Sequence, residues 1–486
     1  MHVKTKREKS KNKQMKKFFL AGCLLASLTG YAQEEQPYVK EKDPLVLQKL
    51  DEWQDWKFGL MMHWGTYSQW GIVESWSLCP EDEGWTQRKP DGIPYYEYVQ
   101  KYEALANTFN PVKFDPAKWA TAAKKAGMRY MVFTTKHHDG FNMFDTKQSA
   151  YRITAPNVPF SKDPRADVTK EVFNAFRKEG IHVGAYFSKP DWNVDSYWWP
   201  YFPPKDRNVN YDVSKYPKRW EQFRQFTYKQ IEELMTGYGK VEILWLDGGW
   251  VRPEKMHSKE SLGWNKTPVQ DQDIDMPGIA AMARKHQPGL IVVDRSVHGP
   301  YENYRTPEQQ IPDKPLDYPW ETCMTMAGSW SYVPNDQYKP VNKIIHNLVD
   351  IVAKGGNYLL NIGPGPDGTW HEEAYRKMDS IGQWMETNGD AIYGTRSIAP
   401  YKDGKVCFTQ KKDGAIYAIY LLNEGEALPS IIRFAGITPA TGAKMELLGV
   451  KGKALAWKKA GNGVEVKIPE SARKKNLKHA IAIKIK

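Results

Sequence analysis

Cysteine is scarce: Cys23, Cys79, Cys323 and Cys407 are the four in 486 residues, with no Cys-x-x-Cys pair and no clustering with the eleven histidines. That pattern excludes a disulfide scaffold, a zinc finger and a dithiol redox motif. No apolar run approaches the ~20 residues of a membrane-spanning helix. No glycine-rich phosphate fingerprint follows the first strand-like run, and neither a repeat nor a low-complexity tract interrupts the chain. A disordered polymer is excluded too, because 41% of the residues are hydrophobic and 26% charged.

Net charge is +12, which would suggest a nucleic-acid partner if it were spread along the chain. It is not: residues 1–17 hold eight Lys and Arg against the single Glu8, leaving +5 for the rest. The Arg473-Lys474-Lys475 cluster reads as a solvated turn. The basic start, the apolar run 18–28 and the small residues Gly30 and Ala32 together form an export signal, so residues 1–32 are expected to be a removed signal peptide. Met15 is an alternative start. Leu20-Ala-Gly-Cys23 also fits a lipoprotein box, but its apolar approach is short, so a periplasmic protein is expected ahead of a surface lipoprotein.

Tryptophan is abundant, at 19 residues, and all but Trp457 precede residue 400. Between about 55 and 365, buried-looking runs alternate with helical stretches. The runs are Phe58-Gly-Leu-Met-Met-His63, Tyr130-Met-Val-Phe-Thr-Thr-Lys-His-His138, His182-Val-Gly-Ala-Tyr-Phe-Ser188, Glu242-Ile-Leu-Trp-Leu-Asp247, Leu290-Ile-Val-Val-Asp-Arg295 and Asn357-Tyr-Leu-Leu-Asn361. Helix starts are marked by Asp115-Pro116 and Met276-Pro277, and a helix over 341–354 stops at Gly355-Gly356. The fold class expected is α/β: a (β/α)8-like barrel over 33–395, its eighth strand not located, followed by a C-terminal all-β sandwich over 396–486. The sandwich, with short runs of which several alternate and one Trp, is expected to be structural. The aromatic segment 189–217 reads as a long loop at the active end of the barrel.

Polar residues at strand C-terminal ends are where barrel enzymes keep their chemistry. Asp247 ends the most apolar strand and is followed by Gly248-Gly249, leaving access to its carboxylate. Capping of a helix or turn is the competing role for such an aspartate. His63, His137 and His138 also sit at strand ends. Adjacent strand histidines should point to opposite faces, and His-x-His spacing is missing, so sugar hydroxyls suit them better than a metal. If Asp247 acts on a glycoside, a second carboxylate is required, and Glu302, Glu308 and Glu321 are the candidates downstream.

His63-Trp-Gly-Thr-Tyr-Ser68, Lys136-His-His-Asp-Gly-Phe141, Leu244-Trp-Leu-Asp-Gly248, Thr306-Pro-Glu308, Trp320-Glu-Thr-Cys323 and Gly355-Gly-Asn-Tyr-Leu-Leu-Asn-Ile-Gly-Pro364 occur in that order. Together, over about 45–400, they resemble the α-L-fucosidases of glycoside hydrolase family 29. The resemblance implies retaining hydrolysis of α-fucosides from glycans, with no cofactor and no metal. It implies Asp247 as nucleophile and Glu308 as acid/base, with Glu302 as the alternative. His63, His137, His138, Tyr186, Trp245, Arg295 and Trp320 would hold the sugar. Glu74 and Trp76 resemble the family's early Glu–Trp pair with Ser75 inserted, and Glu83 and Trp85 compete for that assignment. The partners implied are fucosylated oligosaccharides or glycoconjugates, with neither nucleic acid nor an integral membrane span. A retaining enzyme for a galactose-configured sugar, or a fucose-binding protein without turnover, are the other readings.

Overall fold

Strand β1 (Phe58–Met62) is a five-residue run in which every side chain is buried, and so is each of β2 (Tyr130–Lys136), β5 (Ile291–Asp294), β6 (Glu321–Thr325) and β7 (Asn357–Ile362). With β3 (His182–Ser188) and β4 (Ile243–Asp247) they form one parallel sheet in the order β5-β4-β3-β2-β1-β7-β6. Parallel strands covered on both faces lose the polar alternation of half-exposed strands, which is why most are plain apolar runs in the sequence. The computed structural model describes residues 36–486 except 83–85, 87, 89, 264–267, 451–453 and 476. The expected signal peptide and Cys23 therefore lie outside the described residues, as do Glu83 and Trp85. Among the described residues no helix is long and apolar enough to cross a membrane.

Alternate side chains of each strand enter different cores, as the two-residue period requires. Met61, Val132, Tyr186, Trp245, Val293, Cys323 and Leu359 fill the barrel interior. Leu60, Met131, Val183 and Leu244 face the helices outside. Gly59 leaves room for the Tyr130 ring in the interior layer: a Cβ there would lie 2.5 Å from it. Asp115 caps the helix Pro116–Lys125 by accepting from Lys118 N, and Asp275 caps Met276–His286 through Gly278 N.

The sheet is a seven-stranded half-barrel whose edge strands β5 and β6 do not pair with each other. The gap is occupied by residues 302–308, which make isolated bridges to Val293 on one side and to Trp320 and Cys323 on the other. The missing eighth strand is thus an interrupted segment, and it carries two of the three candidate acids. From Thr395 the strands become antiparallel. β8 (Thr395–Asp403), β9 (Val406–Lys411), β10 (Ile416–Leu421), β12 (Met445–Leu447) and β15 (Ala480–Ile485) form a five-stranded sheet in the order β12-β15-β10-β9-β8. β11 (Ile431–Ala435), β13 (Trp457–Ala460) and β14 (Gly463–Lys467) form the second, and a core including Phe408, Phe434, Val466 and Ile483 lies between them.

Candidate active site

The C-terminal ends of the parallel strands surround a cavity of about 270 Å³ lined by His63, Glu74, Trp76, His137, Tyr186, Trp245, Asp247, Arg295 and Glu308, among others. Asp247 is the last residue of β4. The chain turns away at Gly248, where φ is +88° and a Cβ would lie 2.2 Å from Pro190, so glycine is required there by both conformation and contact. The carboxylate is left at the strand end, accepting from Tyr186 Oη at 2.7 Å and from Arg295 Nη1 at 3.0 Å.

Burial alone would raise the pKa of Asp247. The charge of Arg295 and the Tyr186 hydrogen bond outweigh burial and hold the carboxyl below its usual range. It is ionised at any physiological pH.

Arg295 also pairs through Nη2 with Glu308 Oε2, so one guanidinium clasps both carboxylates. Trp330 Nε1 donates to the other Glu308 oxygen at 3.1 Å. Of the three candidate acids, Glu308 alone lines the cavity. Glu302 is 3% exposed and accepts from Ser296 N at 3.1 Å and His298 Nδ1 at 2.8 Å, which ties its carboxylate to the turn after Arg295. Glu321 lies inside the barrel, bonded to Tyr130 Oη at 2.5 Å and Trp245 Nε1 at 3.3 Å. Burial pushes its pKa up to about 7.

The three histidines converge. His63 Nδ1 bonds Asn361 Oδ1 at 2.8 Å, His137 Nδ1 bonds Ser75 Oγ, and His138 Nδ1 bonds Ser188 Oγ at 2.6 Å. Burial lowers all three, His63 to about 4 and His138 to about 3, so each is neutral near pH 7. His138 Nε2 is buried without a protein hydrogen bond, 3.9 Å from Asp247 Oδ2.

The expectation that His137 and His138 face opposite ways is corrected: their ring centroids are 4.2 Å apart. β2 ends at Lys136, so strand alternation no longer applies to them. With Asp247 they form a group whose ligand atoms lie within 4.8 Å of one another, a geometry that could hold a metal ion. Their outer nitrogens are fixed by Ser75 and Ser188, which leaves Nε2 of each for either a cation or sugar hydroxyls.

Glu74 and Trp76 both line the cavity, and the Ser75 between them is the partner of His137. Trp320 is corrected to a core residue: 1% exposed, it packs where a side chain at Gly356 would go and does not line the cavity. Trp330 lines the cavity instead, its ring 5.2 Å from His63. Trp330, Arg207 and Trp250 line the cavity but were not chosen as binding residues from the sequence. A lone Trp in the Gly328-Ser329-Trp330-Ser331 turn after β6 was the available signal for the first.

A deep strand-end pocket with an ionised aspartate, a second carboxylate on the same arginine, neutral histidines and flanking indoles defines a glycoside hydrolase. The profile of the α-L-fucosidase family matches residues 25–390 and that of the α-L-fucosidase C-terminal domain matches 401–486; the chain belongs to this family and is an α-L-fucosidase. It is 28% identical to the tissue α-L-fucosidase of Rattus norvegicus over 473 residues, covering 93% of each chain. It is 28% identical to the plasma α-L-fucosidase of Homo sapiens, covering 88% of each. Among solved structures it is similar to α-L-fucosidase isoenzyme 1 from Paenibacillus thiaminolyticus, with a TM-score of 0.72 and 28% identity over 91% of this chain and 99% of that one. A Thermotoga maritima α-fucosidase in complex with fucose matches with a TM-score of 0.68 and 27% identity, covering 89% and 96%.

Proposed function

We propose that the chain is an exported, retaining enzyme that removes terminal α-linked fucose from glycans by double displacement. Asp247 attacks the anomeric carbon while Glu308 protonates the departing oxygen. Water then opens the β-fucosyl ester, with Glu308 as base. The observation that carries the reading is Arg295 bridging Asp247 and Glu308 across the cavity. Retaining enzymes place their carboxyls about 5 to 5.5 Å apart, and two acids clasped by one guanidinium suit that regime better than the wider spacing that admits a water. A Thermotoga maritima α-fucosidase, 26% identical to this chain, is solved in complex with a mechanism-based inhibitor. His63, His137 and His138 would bond the ring hydroxyls, and Tyr186 and Trp245, stacked at 5.3 Å, would pack on its C–H face.

Asp247→Ala should lower kcat with nitrophenyl α-L-fucoside by about 10³-fold or more, and added azide should restore turnover as β-fucosyl azide. NMR of the first-formed sugar should show the α-anomer; initial β-fucose would overturn the mechanism. Glu308→Ala should lose least on nitrophenol leaving groups, and equal losses on all substrates would remove it as acid/base. Faster hydrolysis of nitrophenyl galactoside than of the fucoside would favour the galactose-configured reading. Export to the periplasm rests on the basic and apolar leader. Amino-terminal sequencing of the mature protein should begin near Gln33, whereas a blocked start at Cys23 would establish the lipoprotein.

A further inference from the structure

Each of the three histidines is tied through Nδ1 to a polar side chain, and the other hydrogen bonds of that side chain decide which ring nitrogen carries the proton. Burial keeps the rings neutral, so each holds one ring proton. Asn361 Nδ2 donates to Trp330 O at 2.6 Å, which turns the amide so that Oδ1 faces His63 Nδ1 at 2.8 Å. An amide oxygen can only accept, so the proton of His63 is on Nδ1. Ser188 Oγ gives its one hydrogen to Pro190 O at 2.8 Å and therefore meets His138 Nδ1, at 2.6 Å, as an acceptor. The proton of His138 is again on Nδ1. Ser75 is the opposite case. Its Oγ accepts from Asp139 N at 3.0 Å, the residue is fully buried, and among the described residues His137 Nδ1 is the acceptor that its hydrogen meets. His137 thus holds its proton on Nε2.

The His138 ring is also held against turning over. Trp76, Trp192 and Trp250 enclose it at centroid distances of 5.1, 5.2 and 5.1 Å, and its carbonyl accepts from Trp192 N at 2.8 Å. Ser188 ends β3 in register with Asp247 on β4, and His138 Nε2 lies 3.9 Å from Asp247 Oδ2. A proton on that nitrogen would draw on the carboxylate that has to attack, whereas a bare nitrogen can only take a hydrogen from the sugar. We propose that Asn361, Ser75 and Ser188 are positioning residues that fix the three tautomers, so that the pocket meets the sugar with two bare nitrogens, on His63 and His138, and one N–H, on His137. A hydroxyl facing either bare nitrogen must donate, and one facing His137 must accept. The inference rests on the fucosidase reading and assigns the direction of its sugar hydrogen bonds.

Neutron diffraction from the deuterium-exchanged enzyme, without sugar, locates the ring deuterons directly. They should lie on Nδ1 of His63 and His138 and on Nε2 of His137; a deuteron on the opposite nitrogen of any of the three would overturn the inference. Ser188→Ala removes the acceptor from His138 Nδ1. It should move that proton to Nε2 and lower kcat/KM on nitrophenyl α-L-fucoside by about tenfold, the scale of one hydrogen bond made in the transition state. Ser188→Thr, which keeps the oxygen, should keep the proton on Nδ1 and most of the activity. A Ser188→Ala enzyme with a lower Tm but its proton still on Nδ1 would show a structural role only and overturn the positioning one. If Ser188→Ala does not fold, the wild-type proton positions decide alone. Deuterons in the expected places on an enzyme that hydrolyses no fucoside would instead sink the parent reading and leave the tautomers standing.

Discussion

Glu74 illustrates how one buried carboxyl can set a working pH. It is 1% exposed and accepts from Ser331 N at 2.7 Å. Burial raises its pKa, the Ser331 bonds oppose this, and the charges of Glu308 and Asp247 add to the rise, leaving it at about 8. Below that pH it is neutral and can donate to a sugar hydroxyl; above it, a third negative charge enters the pocket. A Glu74 that holds the sugar in its neutral form predicts that kcat/KM on nitrophenyl fucoside falls as pH rises through about 8. Glu74→Gln, which stays neutral, should lose that alkaline limb, and a limb persisting in the variant would assign it to another group. Asp247, Arg295 and the three histidines were legible because each sits at the end of a recognisable strand. Arg207 and Trp330 were not, because loop residues reach the cavity through tertiary contacts that no local pattern records.

At the scale of elements, strands β1 to β5 and β7 could be read from apolar runs, whereas β6 could not. Its sequence is Glu321-Thr-Cys-Met-Thr325, all buried, with the carboxyl satisfied by Tyr130 and Trp245 rather than by solvent. Periodicity registers hydrophobicity, so a strand that buries polar groups against specific partners escapes it. The same reasoning explains the unlocated eighth strand, since 302–308 makes single bridges and no repeating ladder. Another element-scale feature is the Asp390 turn after the helix Glu372–Asn388, where the carboxylate takes Lys411, Tyr417 and Lys484 from β9, β10 and β15. Burial would raise its pKa, but these hydrogen bonds prevail and hold it below the usual carboxylate range. A depressed carboxylate stabilises the fold fully above its unfolded pKa of ~3.9 and loses that contribution as pH falls through the folded value. Asp390→Asn should therefore lower Tm at pH 7 and by progressively less below pH 4, as read by calorimetry. A gap of constant size would show that charge is not the cause.

The five-stranded sheet determines how the whole molecule behaves, because it is covered on both faces. Cys407, Tyr417, Ile419, Ala480 and Ala482 join the core beneath the barrel helices, while Phe408, Ala418, Ile481 and Ile483 join the core inside the sandwich. That double burial explains why β10 and β15 read as nearly continuous apolar runs instead of clean alternations. Polar contacts seal the same seam: Trp384 Nε1 donates to Ala480 O at 2.8 Å, and His346 Nε2 bonds the carbonyls of Leu422 and His479. Neither part can leave without exposing a sheet face or uncovering helices, so unfolding should be shared. Calorimetry should give one transition with a calorimetric to van't Hoff enthalpy ratio near one. Trp384→Phe, which leaves the Ala480 carbonyl without its donor at a cost of about 1–3 kcal/mol, should move that transition down without splitting it. Two resolved peaks in the wild type would mean that the sandwich is an independent appendage, and the apolar outer face of its sheet would then need another explanation.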